Sequence, residues 1–363
     1  MPRAARGRGG QRRQDVWCVG SSAPIDSGAL SAVSHDKLRI TLAAGLPGPQ
    51  PGYEPLAVFH FGKDTVHAET PGIVSTGIDP IVQDELYECW WYGGAVEHRE
   101  SGNVRIAECD DFAMVVMQVA DTAPEGFREA TRKLYDELLA AVRGTRHTHI
   151  VRFWNYFSNI NLGEGDAEKY RQFSVGRAEA FEARGMTDEV VPAATGIGSA
   201  RDSDFTVIAL ASKHDFHNVE NPRQVSAYHY PRDYGPRSPK FSRAGCVSID
   251  GQQLLLISGT ASIIGHESMH AGNVELQCEE TLANLRKLSE ALADVGHVDA
   301  DAIIDTASVV RVYIRDPKDL QYVRARVETF LGGRSDLVAY LLADICRREV
   351  EIEIDAAKFA GAR

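Results

Sequence analysis

The 363-residue sequence lacks several features that would assign it to a particular class of protein. It has no apolar run near the roughly 20 residues that a membrane span requires, so no transmembrane helix is predicted. Its six cysteines include no C-x-x-C pair, which argues against a disulfide framework and against a thiolate zinc site. Unpaired cysteines are typical of a reducing compartment, and we predict a cytoplasmic protein.

Positively charged residues are fewer than negatively charged ones, with 39 Lys and Arg against 51 Asp and Glu. The formal net charge is -12 and no basic stripe accompanies the aromatic residues, which argues against nucleic acid as a partner. The first residues, MPRAARGRGGQRRQ, are basic but lack the apolar core of a signal peptide. We interpret residues 1–52 as a disordered leader and linker, with a phosphate-binding arm as the alternative role of the basic stretch.

What the sequence does contain is an order of strands and helices that occurs twice. The first copy has strands at Val104–Cys109, Ala113–Ala120, His149–Phe157 and Phe205–Ala211, with helices at Phe127–Val142 and Asp166–Arg184. The second has strands at Cys246–Asp250, Gln253–Ile263, Val309–Asp316 and Val350–Asp355, with helices at Asn273–Val295 and Leu320–Leu331. The pattern predicts an α+β protein of two similar units, residues 53–220 and 221–363.

Between the two units, the segment from Asn221 to Ala244 is rich in arginine, tyrosine and proline. Its four prolines exclude a continuous helix and predict a long, stiff loop. Guanidinium groups beside phenol rings can hold carboxylates in a fixed orientation, because arginine offers paired donors and the rings exclude water. A surface loop with solvated arginines is the alternative.

One short motif suggests zinc. Residues His266 to His270 read H-E-x-x-H, which binds zinc only when both histidines share one face of a helix. Gly265 precedes the motif and Asn273 follows it, so the helix is predicted to begin after the motif, at an asparagine cap. We therefore predict no metal site here.

The last predicted strand alternates apolar and acidic residues. Period two places Glu351, Glu353 and Asp355 on one face. Either this is an edge strand with its acids in water, or one carboxyl faces an enclosed pocket that raises its pKa and keeps it protonated. Cys346, just upstream, is either a small core residue or a pocket thiol.

Four segments, WNYFSNIN, GEGDAEKYRQFSVGRAEAF, the loop from Asn221 to Ala244, and ICRREVEIEIDA, resemble the chorismatase family. The second half also resembles the YjgF/RidA-type fold, to which that family is related. The resemblance implies a tandem pair of YjgF/RidA-like (chorismate-mutase-like) units, with mixed sheets, helices packed on one side and the general acid in the second unit.

The resemblance also implies an activity, the cleavage of chorismate with release of pyruvate and without a metal or organic cofactor. By the family's spacing, Glu353 is the general acid that protonates the enolpyruvyl methylene, and Cys346 is a pocket thiol. Cys346 resembles the branch of the family that forms 3-hydroxybenzoate, whereas Ala244 resembles the branch that hydrolyses chorismate to a dihydroxycyclohexadiene carboxylate. We expect 3-hydroxybenzoate, because a thiol can take part in proton movement.

The substrate contacts carried over from the family are Arg152, Tyr156, Tyr170, Arg177, Gln224, Tyr228 and Arg243. A salt-bridged surface position is the alternative for Arg177. Two units in one chain can build a pocket without a neighbour, so a monomer is expected rather than a trimer. An imine deaminase and a non-enzymatic protein that binds aromatic acids are the competing functions.

Overall fold

The computed structural model describes residues 31–63, 71–188, 191–199, 202–296, 309–333 and 335–361. Its four α-helices are α1 (Pro124–Arg143), α2 (Lys169–Ala183), α3 (Val274–Gly296) and α4 (Leu320–Phe330). Across these described ranges, no helix has the length and apolar character needed to cross a bilayer.

The strands within the described residues form three sheets, one of them large. The first seven are β1 (Ser31–Ser34), β2 (Leu38–Ala43), β3 (Glu54–Gly62), β4 (Ile73–Ser75), β5 (Asp79–Pro80), β6 (Glu85–Tyr92) and β7 (Glu97–Ser101). The next seven are β8 (Val104–Glu108), β9 (Phe112–Val119), β10 (His149–Ser158), β11 (Ala193–Ser199), β12 (Phe205–Ser212), β13 (Phe216–Val219) and β14 (Ala244–Ile249). The last six are β15 (Gln252–Thr260), β16 (Ile263–Ile264), β17 (Glu267–Ser268), β18 (Val309–Ile314), β19 (Val338–Ile345) and β20 (Ile352–Gly361).

The large sheet confirms the α+β class and shows the repetition directly. Its order runs β7-β8-β9-β12-β10-β11 through the first unit and β19-β18-β20-β15-β14-β13 through the second. We count the strands of the large sheet in chain order within each unit. One helix then follows the third strand and one follows the fourth, and the fourth and fifth strands are parallel. The two units therefore share one topology, with β7 corresponding to β13 and β12 to β20, and the second unit begins with β13, before the predicted boundary between residues 220 and 221.

The two units join edge to edge where β11 pairs antiparallel with β19, with Ile197 opposite Ile345 and Ser199 opposite Ala343. These two strands are the corresponding strands of their units, and both were missed in the sequence. β11 is rich in alanine and glycine, which are poor strand formers, and β19 is rich in leucine and alanine, which favour helices. Their conformation comes from pairing with neighbours that are distant in sequence.

The helices cover one face of the large sheet and an N-terminal sheet covers the other. Residues of α1 and α2 share an apolar cluster with the first unit's strands, and those of α3 and α4 with the second unit's. The largest cluster contains residues of β2, β3 and β6 packed against strands of both units. The N-terminal sheet has the order β1-β2-β6-β3-β4.

This N-terminal sheet changes the predicted domain boundaries. Strands β1 and β2 lie inside residues 1–52, which we predicted to be a leader and linker, and Leu38, Ile40 and Leu42 are fully buried. Strands β3 and β6 lie in the range predicted for the first unit, but they pair with each other, and β6 pairs with β2. The basic stretch MPRAARGRGGQRRQ lies outside the described residues.

Candidate active site

Glu353 lies on β20, which is an internal strand between β15 and β18. Its side chain is only 4% exposed, and its neighbour Asp355 is fully buried. Because β20 has a strand on each side and an apolar layer on each face, the alternative of an edge strand with its acids in water is wrong. The acidic face of this strand points into the protein.

Burial is the main reason why the pKa of Glu353 is raised to about 8. The nearby charge of Asp355 raises this pKa further, while the positive charges of Arg152 and Arg243 lower it. A carboxyl group with this pKa is protonated at neutral pH, so it can donate a proton, as a general acid must.

Cys346 follows the last residue of β19 and lies beside the acid. Its Sγ is 4.0 Å from Glu353 Oε2. Burial, together with the charge of Glu353, raises the pKa of Cys346 to about 12. The sulfur is therefore a neutral thiol at physiological pH, able to exchange a proton but not acting as a thiolate nucleophile.

The segment from Asn221 to Ala244 is a loop between β13 and β14, interrupted by two short 3-10 turns, Ala227–His229 and Arg232–Tyr234. Its last arginine, Arg243, is 4% exposed. Arg243 Nη2 donates to Val225 O at 2.8 Å and to the Tyr230 hydroxyl at 2.7 Å. The predicted stiff loop is thus observed, with one buried arginine held by the loop itself.

Ion pairs tie this loop to the first unit. Arg232 pairs with Asp166, Arg237 with Glu182, and Lys240 Nζ lies 2.6 Å from Asp188 Oδ1. These pairs are partly exposed, so each contributes little to stability alone. Together they hold the loop along α2, since Asp166 precedes this helix, Glu182 lies in its last turn and Asp188 follows it.

A cavity of about 320 Å³ lies where the loop, α2, β15, β19 and β20 meet. Four residues predicted for the site line it, and the first unit supplies Tyr170 while the second supplies Arg243, Cys346 and Glu353. Tyr170, whose pKa is raised by burial, faces this group from α2. The cavity therefore brings together an acid, a thiol, a phenol and a guanidinium from two units of one chain.

Two residues predicted as substrate contacts lie behind the cavity instead of on its wall. Arg152 Nη2 is 3.1 Å from Asp355 Oδ2, and the guanidinium also bonds to Thr195. The Tyr156 hydroxyl lies 3.5 Å from that of Tyr313, in the same fully buried region. Arg152 acts on the site through its charge, which lowers the pKa of Glu353.

The remaining predicted residues also lie off the wall. Ala244 is fully buried in the apolar core of the second unit, and Gln224 Nε2 donates to Ile263 O at 3.1 Å. The Tyr228 ring packs against His229. Arg177 is buried on α2 over the Phe173 ring, which excludes the alternative of a salt-bridged surface arginine. Its Nε and Nη2 have no hydrogen-bond partner among the described residues.

Several wall residues were missed in the sequence. Tyr230 and Tyr234 line the cavity from the loop, and Arg347 stacks over the Tyr234 ring at 4.0 Å. Arg347 Nη1 also donates to His266 O and to Ser268 Oγ. The signal was present, because both tyrosines belong to the arginine and tyrosine loop and Arg347 directly follows Cys346.

The H-E-x-x-H motif forms a small hairpin instead of a helix. Strands β16 and β17 pair across it, and α3 begins only at Val274, after Asn273, whose side chain accepts from Leu276 N at 3.0 Å. His266 contacts the Tyr234 hydroxyl and His270 contacts Glu280. The predicted helix start and asparagine cap are confirmed.

A second cavity, of about 640 Å³, has a different chemical character. Asp121, Asp202 and Asp204 line it. The amine of Lys169 is engaged there, 2.7 Å from Asp121 Oδ2 and 2.8 Å from Ser158 O. The cavity at Glu353 combines a buried acid and a thiol with four arginines on its wall, so it is the better candidate for an active site that takes a carboxylate ligand.

Comparison with known proteins agrees with this choice. A family model described as "Chorismatase FkbO/Hyg5-like, N-terminal" matches residues 88–211. A protein of Streptomyces rapamycinicus described as a chorismatase is 37% identical over 281 residues, covering 75% of this chain and 82% of the relative. The chain belongs to the chorismatase family. The predicted family is thereby confirmed, and at that level so is the prediction of an enzyme.

Other chorismatase relatives extend the likeness. A Streptomyces hygroscopicus protein described as 3-hydroxybenzoate synthase is 34% identical over 281 residues, covering 74% of this chain and 80% of the relative. A crystal structure of a chorismatase matches with a TM-score of 0.76 and 29% identity, covering 91% of this chain and 100% of that chain. The chorismatase fold therefore extends over nearly the whole chain.

Proposed function

We propose that this chain cleaves chorismate, releases pyruvate from its enolpyruvyl ether and leaves mainly 3-hydroxybenzoate, with Glu353 as the general acid. One observation carries the proposal. A carboxyl group with a pKa of about 8 faces a cavity whose wall also holds Arg243. Such a pair suits a substrate that has carboxylates to bind and a weakly basic carbon to protonate.

The chemistry explains why the acid must be neutral. An enol ether is cleaved by adding a proton to its methylene carbon, which produces an oxocarbenium-like centre. Glu353 supplies that proton and then carries a negative charge, which stabilises the positive centre that it has created. An ordinary solvent-exposed glutamate would be ionised at pH 7 and could not donate.

The cationic and phenolic side chains on the cavity wall bind the carboxylates of the substrate in this proposal. The Nε of Arg243 is buried and has no partner among the described residues, so it can donate to a ligand without breaking an existing bond. Tyr170 and Tyr230 stand near it on the wall. Charge-assisted bonds of this kind orient a planar acid group as well as attract it.

The ring product depends on how a ring proton leaves. Conversion to 3-hydroxybenzoate and pyruvate consumes no water, so the proton added to the methylene must be balanced by one lost from the ring. Hydrolysis consumes one water and leaves the ring non-aromatic. Cys346 lines the cavity 4.0 Å from the acid, whereas Ala244 does not line it. Of these two residues, Cys346 is the one on the cavity wall, and its thiol can move a proton, which favours 3-hydroxybenzoate.

The test is an incubation of the purified protein with chorismate, following pyruvate enzymatically and the ring product by HPLC. Glu353→Gln should lower pyruvate release by at least about 1,000-fold, because the amide cannot donate the proton. Glu351→Gln is the matched control, two residues away, with a side chain 25% exposed and 3.7 Å from Arg315. It should retain most of the activity.

Three results would contradict the proposal in different ways. The opposite ranking of the two variants would remove Glu353 as the acid. Chorismate binding without turnover by the unmodified protein would indicate a binding protein. A non-aromatic diol as the main product would leave the acid in place and overturn the choice of 3-hydroxybenzoate.

A further inference from the structure

Strand β15 carries a bulge directly opposite the acidic strand. Ile257 pairs with Ala356 and Thr260 pairs with Ile354, so Ser258 and Gly259 together face the single residue Asp355. Two residues against one is the defining feature of a β-bulge, which bends the strand and redirects its backbone. Here the bend brings the backbone of Gly259 against the side chain of Glu353.

Gly259 is in contact with the acid itself. A methyl carbon added at Gly259 would lie 2.7 Å from Glu353 Cδ and closer still to Oε1, distances that real atoms do not adopt. The φ of Gly259 is not in the left-handed region, so the backbone could accept alanine, but the added carbon would have to displace the carboxyl of Glu353. The glycine forms one side of the recess that holds the carboxyl.

Hydrogen bonds hold the bulge in place from the first unit. Gly259 N donates to Thr195 Oγ1 at 3.1 Å, and that hydroxyl donates to Asp355 Oδ2 at 2.8 Å. Ser258 Oγ donates to Ser242 O at 2.6 Å and accepts from Ala194 N at 2.9 Å. Two adjacent residues of β11 therefore fix the bulge of β15 across the boundary between the units.

The same bulge also fixes the arginine. Ser258 N donates to Arg243 O at 3.0 Å, so the residue that binds the backbone of Arg243 and the residue that confines Glu353 are consecutive on β15. A shift of the bulge would move the cation and the acid relative to each other. An active site tolerates little of this, since a misplacement of 1 Å can cost about 100-fold in rate.

We propose that the Ser258–Gly259 bulge is the positioning element of the active site, with Gly259 confining the carboxyl of Glu353 and Thr195 holding the bulge. The proposal rests on the assignment of Glu353 as the general acid. Gly259 and Thr195 act through Glu353 and are positioning residues, and neither is assigned a contact with substrate.

The test is a double-mutant cycle on chorismate cleavage with Gly259→Ala, Glu353→Asp and the combined variant. Gly259→Ala should lower kcat by about 100-fold and change KM by less than about threefold, because the acid is displaced while Arg243 remains. In the Glu353→Asp background, whose shorter side chain leaves room for the methyl, the same change should cost less than about fivefold. Gly48→Ala, with nothing within 4 Å of the added carbon, is the control and should leave kcat unchanged.

Thr195 provides a second test should Gly259→Ala fail to fold. Thr195→Val keeps the shape but removes the hydroxyl, and it should lower kcat by about tenfold or more. Thr195→Ser keeps the hydroxyl and should restore kcat to within about threefold of the unmodified protein. Full activity in the valine variant, or a loss in the serine variant as large as that in the valine variant, would show that the hydroxyl does not account for the effect, which would overturn the role of Thr195.

The outcomes separate this proposal from the proposed function. If Glu353→Gln retains full activity, the general acid is assigned wrongly and the bulge has no acid to position. If Glu353→Gln is inactive while Gly259→Ala is fully active, or costs the same factor in both backgrounds, the acid stands and the positioning role fails. If Gly259→Ala lowers kcat when Glu353 is present but not in the Glu353→Asp background, the result supports both the general acid and the positioning role.

Discussion

At the scale of single residues, the proposed mechanism requires one carboxyl that its surroundings keep neutral. Burial and Asp355 raise the pKa of Glu353, and Arg152 and Arg243 prevent it from rising further. Asp355 lies in a different arrangement, since its oxygens accept hydrogen bonds from Arg311, Tyr313 and Thr195. The two acids on one face of β20 therefore differ in their hydrogen-bond partners.

The raised pKa of Glu353 predicts how stability depends on pH. Between about pH 5 and pH 8 this group is protonated in the folded protein and ionised in the unfolded chain, so it destabilises the fold increasingly as the pH rises, by at most about 1.4 kcal/mol per pH unit. The free energy of unfolding of Glu353→Gln minus that of the unmodified protein should therefore increase from pH 5.5 to pH 8. Urea unfolding at both pH values measures it, and a constant difference would contradict the raised pKa.

The buried position of Arg243 on the cavity wall predicts that its removal weakens the binding of chorismate. Its removal should weaken chorismate binding by about 2 kcal/mol, which is about 30-fold in Kd, because a buried charge-assisted contact is lost. Calorimetry in the inactive Glu353→Gln background separates binding from turnover. Arg232→Ala is the matched control, an arginine of the same loop that is 62% exposed and pairs with Asp166. Equal effects of the two substitutions would make Arg243 a structural residue.

At the scale of elements, the position of α2 matters because it carries Tyr170 to the cavity. This helix packs so closely on α1 that a methyl carbon at Gly176 would lie 2.8 Å from Thr131 Cβ and closer still to the carbonyl oxygen of Arg128. The close approach of the two helices is therefore possible only with glycine at this position.

Gly176→Ala should lower the free energy of unfolding by about 2 kcal/mol or more, since the two helices must separate. Gly126→Ala, on α1, is the control, because its added carbon would meet only Thr122 Oγ1 at 3.9 Å. There alanine should be neutral or stabilise slightly, because it favours the helix more than glycine does. Chemical denaturation compares the two, and similar results for both would show that the close packing of α1 and α2 is not limiting.

At the scale of the whole molecule, a buried ionic network joins the N-terminal sheet to the large sheet. Arg311 on β18 binds Glu88 on β6 through Nε at 2.7 Å and Asp355 through Nη1 at 3.0 Å. Burial raises the pKa of Glu88, and Arg311 opposes that rise. The network runs from the N-terminal sheet to Asp355, two residues from the proposed acid.

Glu88→Ala should lower the free energy of unfolding by about 3 kcal/mol, because Arg311 loses one of its two buried partners. Glu85→Ala, on the same strand with a side chain 43% exposed, should change it by less than about 1 kcal/mol. Urea denaturation measures both variants. An effect of Glu88→Ala as small as that of Glu85→Ala would show that the network does not hold the two sheets together.

The sequence by itself determined the class, the repetition and four residues of the candidate site, which are Tyr170, Arg243, Cys346 and Glu353. Period-two and helical patterns located both helices of each unit to within three residues at every end, and the Asn221 to Ala244 loop followed from its prolines. These features depend on local chemistry, which neighbouring residues carry. The placement of Glu353 and Cys346 came from the resemblance to a family, since alternation alone left the acids either in water or in a pocket.

Only the tertiary structure decided which face of β20 is enclosed, which residues reach the cavity, and that β11 and β19 are strands. Pairing between residues about 150 positions apart produces these features, as where Ile197 meets Ile345. Tyr228 and Tyr230 look equivalent in the sequence, yet of the two Tyr230 lines the cavity, because Tyr228 lies within the 3-10 turn Ala227–His229 and Tyr230 follows it in an extended conformation. Gly259 could not be identified from the sequence for the same reason. Its proposed role is to leave room for the side chain of Glu353, which lies 94 positions further along the chain.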